Sequence, residues 1–193
     1  MIGNDLVDLK LAAKQSNWQR RGFLDKLFTS TEQECILNSD NPVETVWLLW
    51  SMKESAYKVY LQMHNERFFA PKKLACHLIL KNKGTVLINN ALFFTESEIG
   101  EGFIYTVAFT KNHENNFLSN CFEFECSDFK NQQSQTYQKV LAAFANKLKL
   151  PVAQLKIKKN GQGIPQLFWG DMLLENSFSL THHGNFGAFC IEV

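Results

Sequence analysis

Glu54 and Lys58 stand four residues apart in a run without Gly or Pro, Trp50-Ser51-Met52-Lys53-Glu54-Ser55-Ala56-Tyr57-Lys58. Four residues are about one helical turn, so the carboxylate and the ammonium share a face. Lys53 precedes Glu54 and lies about a quarter-turn round the same helix. A carboxylate between two ammonium groups has two readings. It is a solvated surface pair worth about 0.3–0.5 kcal/mol, or a hard metal ligand beside phosphate-binding lysines. Near the start of the chain, Asp5 and Asp8 form a second acidic group. Two close carboxylates repel unless a cation lies between them, so they are either a divalent-cation site or a solvated pair. Near the other end, Thr181-His182-His183-Gly184 offers a hydroxyl and an imidazole that can donate to an anion. On local grounds that His-His pair is equally a chance feature of an edge strand.

The elements that must position these groups are legible in outline. Residues 2–9 alternate loosely and read as a strand carrying Asp5. Residues 9–28 read as a helix, with Gly22 a point where it can break, and Lys10, Lys14, Arg20 and Arg21 give it a basic face. That face is either solvated or a docking surface for an acidic partner. Thr29-Ser30-Thr31-Glu32-Gln33-Glu34 holds two overlapping capping boxes, Thr29 with Glu32 and Thr31 with Glu34. Asn41-Pro42 ends the helix they start, and Val43 opens the central one, whose apolar residues Trp47, Leu49, Trp50, Ala56, Tyr57 and Tyr60 recur at helical spacing. Residues 76–80, 85–89, 91–95 and 103–110 are short apolar or β-branched runs between turn signals, which predicts an antiparallel meander. Lys111-Asn112-His113-Glu114-Asn115-Asn116 reads as a linker. Beyond it come a strand over 121–126, a helix over 132–150 stopped by Pro151, strands over 155–158 and 167–169 around the Gly161-Gln162-Gly163-Ile164-Pro165 turn, and a closing strand pair over 178–193. The expected fold class is α+β in two pseudo-repeated lobes, each an antiparallel sheet packed with helices, with residues 1–115 in the first and 116–193 in the second.

Composition narrows the function classes. At 193 residues with 45% hydrophobic content and 17 Phe, the chain can bury a substantial core. A net charge of +1 argues against nucleic acid as the main partner. No apolar run is long enough to span a bilayer, and the start lacks the regions of a signal peptide, so a cytoplasmic protein is expected. Five cysteines without Cys-x-x-Cys spacing read as reduced thiols rather than a zinc site. His77 and His113 have no partners at ligand spacing.

Four motifs spread along the chain resemble those of one family. Trp50-Ser51-x-Lys53-Glu54-Ser55-x-x-Lys58 resembles the W-(S/T)-x-K-E-(S/A)-x-x-K signature of the 4′-phosphopantetheinyl transferases. Ile2-Gly3-Asn4-Asp5-Leu6-Val7-Asp8 resembles the G-x-D motif as carried by the small holo-acyl-carrier-protein synthases. Phe178-Ser179-Leu180-Thr181-His182-His183-Gly184 resembles the F-N-(L/I)-S-H-S-G motif of the larger, surfactin-synthetase-activating type, and Gly161-Gln162-Gly163-Ile164-Pro165 the G-K-P turn before it. Val7 stands where the larger type has a second acid, Asp8 where the smaller type has Glu, and Ile164 where the family has Lys. In the two-lobe members the S-H-S-G strand precedes the G-x-D strand. Here it comes near the C-terminus, an order that joining Val193 to Met1 would restore. The contents of a two-lobe transferase thus stand in circularly permuted order, and a site between the lobes of a single chain is expected, with a monomer as the working unit.

The resemblance implies transfer of 4′-phosphopantetheine from coenzyme A to a serine of an apo acyl or peptidyl carrier protein, leaving 3′,5′-ADP. It implies Mg²⁺ held by Asp5 and Glu54, with Asp8 a third candidate, and Lys58 offsetting phosphate charge. It further implies Thr181 and His182 donating to the 3′-phosphate, Gly163 and Pro165 shaping the turn beside adenine, and Lys53 on the cofactor side. Glu54 and a water on the cation both qualify as general base. Lys156, Lys158 and Lys159 are the candidates to replace the missing turn lysine. The alternative is a non-catalytic relative that binds carrier protein or coenzyme A without turnover.

Overall fold

The computed structural model describes residues 1–68, 70–110, 117–125 and 128–192. The first strand, β1 (Ile2–Asp8), leads into a short helix α1 (Leu9–Gln15). Ser16 is extended and Gly22 takes a left-handed φ of 79° before α2 (Phe23–Leu27), so the expected helix over 9–28 is two short helices joined by a turn. Helix α3 (Ser30–Leu37) starts on the Thr29–Glu32 capping box, with both reciprocal bonds made. The central helix α4 (Pro42–His64) begins at Pro42 itself, where the missing N–H costs nothing, and ends on Asn65 in the left-handed region.

The meander follows as β2 (Leu74–Leu80), β3 (Lys83–Ile88), β4 (Ala91–Gly100) and β5 (Phe103–Phe109). With β1 it forms a five-stranded antiparallel sheet in the order β1-β5-β4-β3-β2. The expected linker over 111–116 lies outside the described residues, as do Cys126 and Val193. The chain resumes in β6 (Phe117–Glu123), earlier than the strand expected over 121–126, and then α5 (Phe129–Leu148). Strands β7 (Leu155–Lys159), β8 (Pro165–Trp169) and β9 (Met172–Leu174) make one three-stranded sheet. Strands β10 (Phe178–His183) and β11 (Phe186–Glu192) join β6 in another.

Three apolar cores hold these layers together. Val46, Leu49, Met52, Ala56 and Val59 of α4 pack on Val86, Ile88, Phe93 and Ile104 of the five-stranded sheet. Each large side chain so buried contributes about 1.5–3 kcal/mol. On the opposite face of that sheet, Ile2 and Leu6 of β1 meet Ala188 and Cys190 of β11. Val140 and Phe144 of α5 cover Leu167, Phe178 and Ile191. Strand β1 is therefore sandwiched. Its odd residues face α4 and its even residues face β10 and β11, as the two-residue period of a strand requires.

Candidate active site

Gly3 sets how close β1 comes to α4. A Cβ at this position would lie 2.4 Å from the Ser55 carbonyl oxygen, so only glycine admits this approach. Two residues on, Asp5 faces the same helix. Its Oδ1 lies 3.3 Å from Lys58 Nζ, which also donates to the Asn4 carbonyl at 2.6 Å. One turn back, Glu54 is largely buried. Burial foremost, and then the Asp5 charge, raise its pKa to about 7, against the opposing pull of Lys58. Two carboxylates and an ammonium thus meet where β1 crosses α4.

Three adjoining cavities share Glu54. One of about 340 Å³ runs between β1, α1–α2 and β10, and holds Asp5, Trp50, Thr181 and His182. A second of about 300 Å³ lies between α4 and the turn before β8, lined by Lys58, Arg67, Lys159, Gly163 and Pro165. A third of about 410 Å³ extends along Tyr57, Arg67 and Phe68. One chain brings Asp5, Glu54, Lys58, Thr181, His182, Gly163 and Pro165 around this set of cavities. Adjacent on β10, Thr181 and His182 leave opposite faces of the strand. The His182 imidazole has its pKa lowered by burial first, then by Lys58, Lys159 and His183. Those neighbours put His182 in a basic neighbourhood where a bound anion would favour its protonation.

Two expected site residues are occupied elsewhere. Asp8 is on the face of β1 opposite Asp5, because three residues along a strand reverse the side-chain direction. It is 3% exposed; its Oδ1 caps α1 through the Leu11 N–H at 3.0 Å and its Oδ2 accepts from Asn185 N at 3.0 Å. Both carboxylate oxygens are thus engaged in tying α1 and the β10–β11 turn to β1, which leaves Asp8 out of the Asp5–Glu54 pair. Lys53, expected on the cofactor side, is fully buried. Its ammonium donates to both Glu32 carboxylate oxygens at 2.8 Å, to the Pro71 carbonyl at 3.1 Å and to the Leu74 carbonyl. It points into the joint between α3, α4 and β2, with no donor left for a phosphate.

Of the three lysines considered as replacements for the turn lysine, Lys159 lines the second cavity, while Lys158 lies 4.8 Å over the Phe168 ring. Arg67 was not among the expected residues. It sits in an irregular loop where no periodicity or spacing singles it out.

Asp5 and Glu54 fit a divalent cation. They are hard oxygen donors on the wall of one cavity, and the Asp5 charge adds to burial in raising the Glu54 pKa, so added positive charge there would favour both in their ionised form. No group of three or more His, Cys, Asp or Glu side chains suited to a metal occurs among the described residues. A two-carboxylate site suits Mg²⁺, which keeps waters and takes further ligands from substrate phosphates.

A profile of the 4′-phosphopantetheinyl transferase superfamily matches residues 1–108, more than half of the chain and the whole of the Asp5–Glu54–Lys58 region. The chain belongs to the 4′-phosphopantetheinyl transferase superfamily. No sequence among the curated proteins matches it. Among solved structures, this superfamily member is similar to the apo-ACPS of Chronobacterium ammoniagenes. The TM-score is 0.46 at 13% identity, covering 56% of this chain and 93% of that one. It is similar to the ACPS–CoA complex of the same organism, with TM-score 0.46 at 12% identity over 55% and 93%. It is also similar to the holo-[acyl-carrier-protein] synthase AcpS of Neisseria meningitidis, with TM-score 0.43 at 12% identity over 55% and 94%. No helix among the described residues is long and apolar enough to cross a membrane.

Proposed function

We propose that this chain is a Mg²⁺-dependent phosphopantetheinyl transferase that moves 4′-phosphopantetheine from coenzyme A to a serine hydroxyl of an apo acyl or peptidyl carrier protein in the cytoplasm. The observation that carries the reading is the meeting of Asp5, Glu54 and Lys58 at one crossing of β1 and α4, beside a cavity that reaches Thr181 and His182.

In the reaction the serine oxygen forms a bond to the phosphorus next to the pantetheine arm. The bond from that phosphorus to the bridging oxygen breaks, and 3′,5′-ADP leaves. Such a transfer needs positioning and charge neutralisation more than a protein nucleophile. Mg²⁺ held by Asp5 and Glu54 would supply Lewis-acid stabilisation of the pyrophosphate oxygens. Lys58 keeps Asp5 in place and adds positive charge at the same point. Glu54 and a water on that cation both qualify to take the serine proton. Thr181 and His182 donate to the nucleotide phosphates, and Gly163 and Pro165 form the wall of the nucleotide cavity. The exposed basic residues Lys10, Lys14, Arg20 and Arg21 on and after α1 suit docking of an acidic carrier protein. Both sides of the site come from one chain, which suits a monomer.

The test is mass spectrometry of an apo carrier protein incubated with this chain, coenzyme A and Mg²⁺, with and without EDTA. A metal-dependent gain of one phosphopantetheine arm is expected, and Glu54→Ala should reduce its rate at least ~100-fold while the chain stays folded. Binding of coenzyme A without transfer to any of several carriers would instead favour the non-catalytic relative.

A further inference from the structure

Strands β1 and β10 lie side by side but belong to different sheets, so no ladder of backbone bonds joins them. Side chains serve the edge of β1 instead. Ser177 Oγ, just before β10, accepts from Ile2 N at 2.8 Å, and His183 Nδ1, in the last residue of β10, accepts from Asp8 N at 2.9 Å. The cavity of about 340 Å³ lies along the stretch between these two bonds. Asp5, Leu6 and Val7 line it from β1, and Thr181, His182 and His183 from β10.

The bond from Asp8 N fixes the state of the ring. A nitrogen that accepts an N–H carries no proton of its own, so His183 is held as a neutral imidazole with its proton on Nε2. That nitrogen faces Gln15 Oε1 at 3.3 Å. One ring thus joins β10, β1 and the last residue of α1, three elements that wall the cavity. The turn after His183 is anchored as well. Asn185 N donates to Asp8 Oδ2 at 3.0 Å, Gln132 Nε2 donates to the Gly184 carbonyl at 2.9 Å, and Phe124 N donates to the Asn185 carbonyl at 2.7 Å. Gly184 has a φ of 59°, and a Cβ there would lie 2.1 Å from Asp8 Oδ2, so the turn closes on Asp8 only with bare backbone.

We propose that His183 is a positioning residue for donor binding: it staples β10 to β1 and so holds Thr181 and His182 at the distance from Asp5 that the nucleotide requires. This rests on the reading of the site as one for coenzyme A. His183 acts through its neighbours. Its two ring nitrogens are engaged by Asp8 N and Gln15, which leaves Thr181 and His182 to face the ligand.

The experiment is calorimetric titration of the wild type, His183→Ala, His183→Asn and His183→Gln with coenzyme A in Mg²⁺, followed by transfer kinetics, with thermal melts to confirm folding. The two amides separate the roles of the ring nitrogens. Asn places an acceptor where Nδ1 stands, whereas Gln reaches the Nε2 position and leaves the Asp8 N–H unpaired. His183→Ala and His183→Gln should weaken coenzyme A about 3- to 10-fold, the span of one hydrogen bond, and raise its KM by the same factor. Their kcat, their KM for carrier protein and the coenzyme A affinity of His183→Asn should stay within about 2-fold of wild type. A KM does not depend on how much of the enzyme is folded, so a purely structural role would leave it unmoved. Unchanged affinity in His183→Ala and His183→Gln, a glutamine variant that matches the wild type, or an asparagine variant as weak as alanine would each overturn the proposal. Binding without transfer would overturn the transferase reading and leave the calorimetric comparison to decide this one. A wild type that does not bind coenzyme A would overturn the coenzyme A reading and this inference with it.

Discussion

Glu54 links the stability of this fold to pH. In the folded chain it keeps its proton up to about pH 7, whereas the ordinary carboxyl value is 4.5. Between those values the folded chain binds more protons than the unfolded one, so this residue's contribution to stability falls as pH rises. Glu54→Gln removes that loss. In thermal melts with EDTA, its gain over wild type should be larger at pH 8 than at pH 5; an equal gain at both would mean that Glu54 is not held protonated. Asp8 makes an opposite case. Asp8→Ala should cost about 0.5–2 kcal/mol, as loss of a helix cap does, and leave the Mg²⁺ concentration for half-maximal transfer unchanged. Asp5→Ala should raise that concentration. A rise with Asp8→Ala would put Asp8 back among the metal ligands. Lys53 belongs with Asp8 as a structural residue. Lys53→Met strands the Glu32 carboxylate, 2% exposed, and should cost about 3–5 kcal/mol in denaturant unfolding. Adding Glu32→Leu should recover part of the loss.

Among the elements, α4 and β1 decide whether a site exists. Lys58 links them through Asp5 and the Asn4 carbonyl, and Gln62 adds a bond to the Ile2 carbonyl at 2.8 Å. Their spacing depends on Gly3. Gly3→Ala would push a methyl against the Ser55 carbonyl, and overpacking of this kind costs about 1–3 kcal/mol. It also widens the gap between Asp5 and Glu54, so the rate of transfer should fall further than the loss of folded protein explains. A rate that tracks only the folded fraction would separate the strand's packing from the site. Strand β10 is the other partner of β1. Ile2 N donates to Ser177 Oγ at 2.8 Å and Asp8 N to His183 Nδ1 at 2.9 Å, so the two strands advance side by side in the same direction. That alignment carries Thr181 and His182 to the level of Asp5.

At the scale of the whole molecule, the cavities of about 340 and 300 Å³ lie where elements from different ends of the chain meet around α4. We propose that residues 1–115 and 116–193 act as two lobes around this cleft, in the permuted order read from the motifs. The Met1 ammonium lies 3.3 Å from Glu192 Oε2, so the segments that the permuted order would join are already in contact. The packing of β1 between α4 and β10–β11 supports this division of labour. In this proposal one lobe would present the carboxylates and the other the nucleotide wall, with β1 packed between them.

Local signals carried much of this in the sequence itself. The Thr29–Glu32 capping box, the run of α4 and the Gly-Asn-Asp start are short-range patterns, and their physical causes act within one turn or one strand. The same-face placement of Glu54 and Lys58 follows from helical period alone. Strand period alone also separates Asp5 from Asp8, once Ile2–Asp8 is a regular strand. What only the tertiary structure decided concerns partners far apart in the chain. Lys53 looked like its neighbours in the motif, but the buried Glu32 and two carbonyls from the β2 approach claim every donor it has. Arg67 had no pattern to mark it, because its partner, the Gln162 carbonyl, stands in a turn 95 residues away. The raised pKa of Glu54 likewise needs burial and the Asp5 charge together, and neither exists until β1 lies on α4.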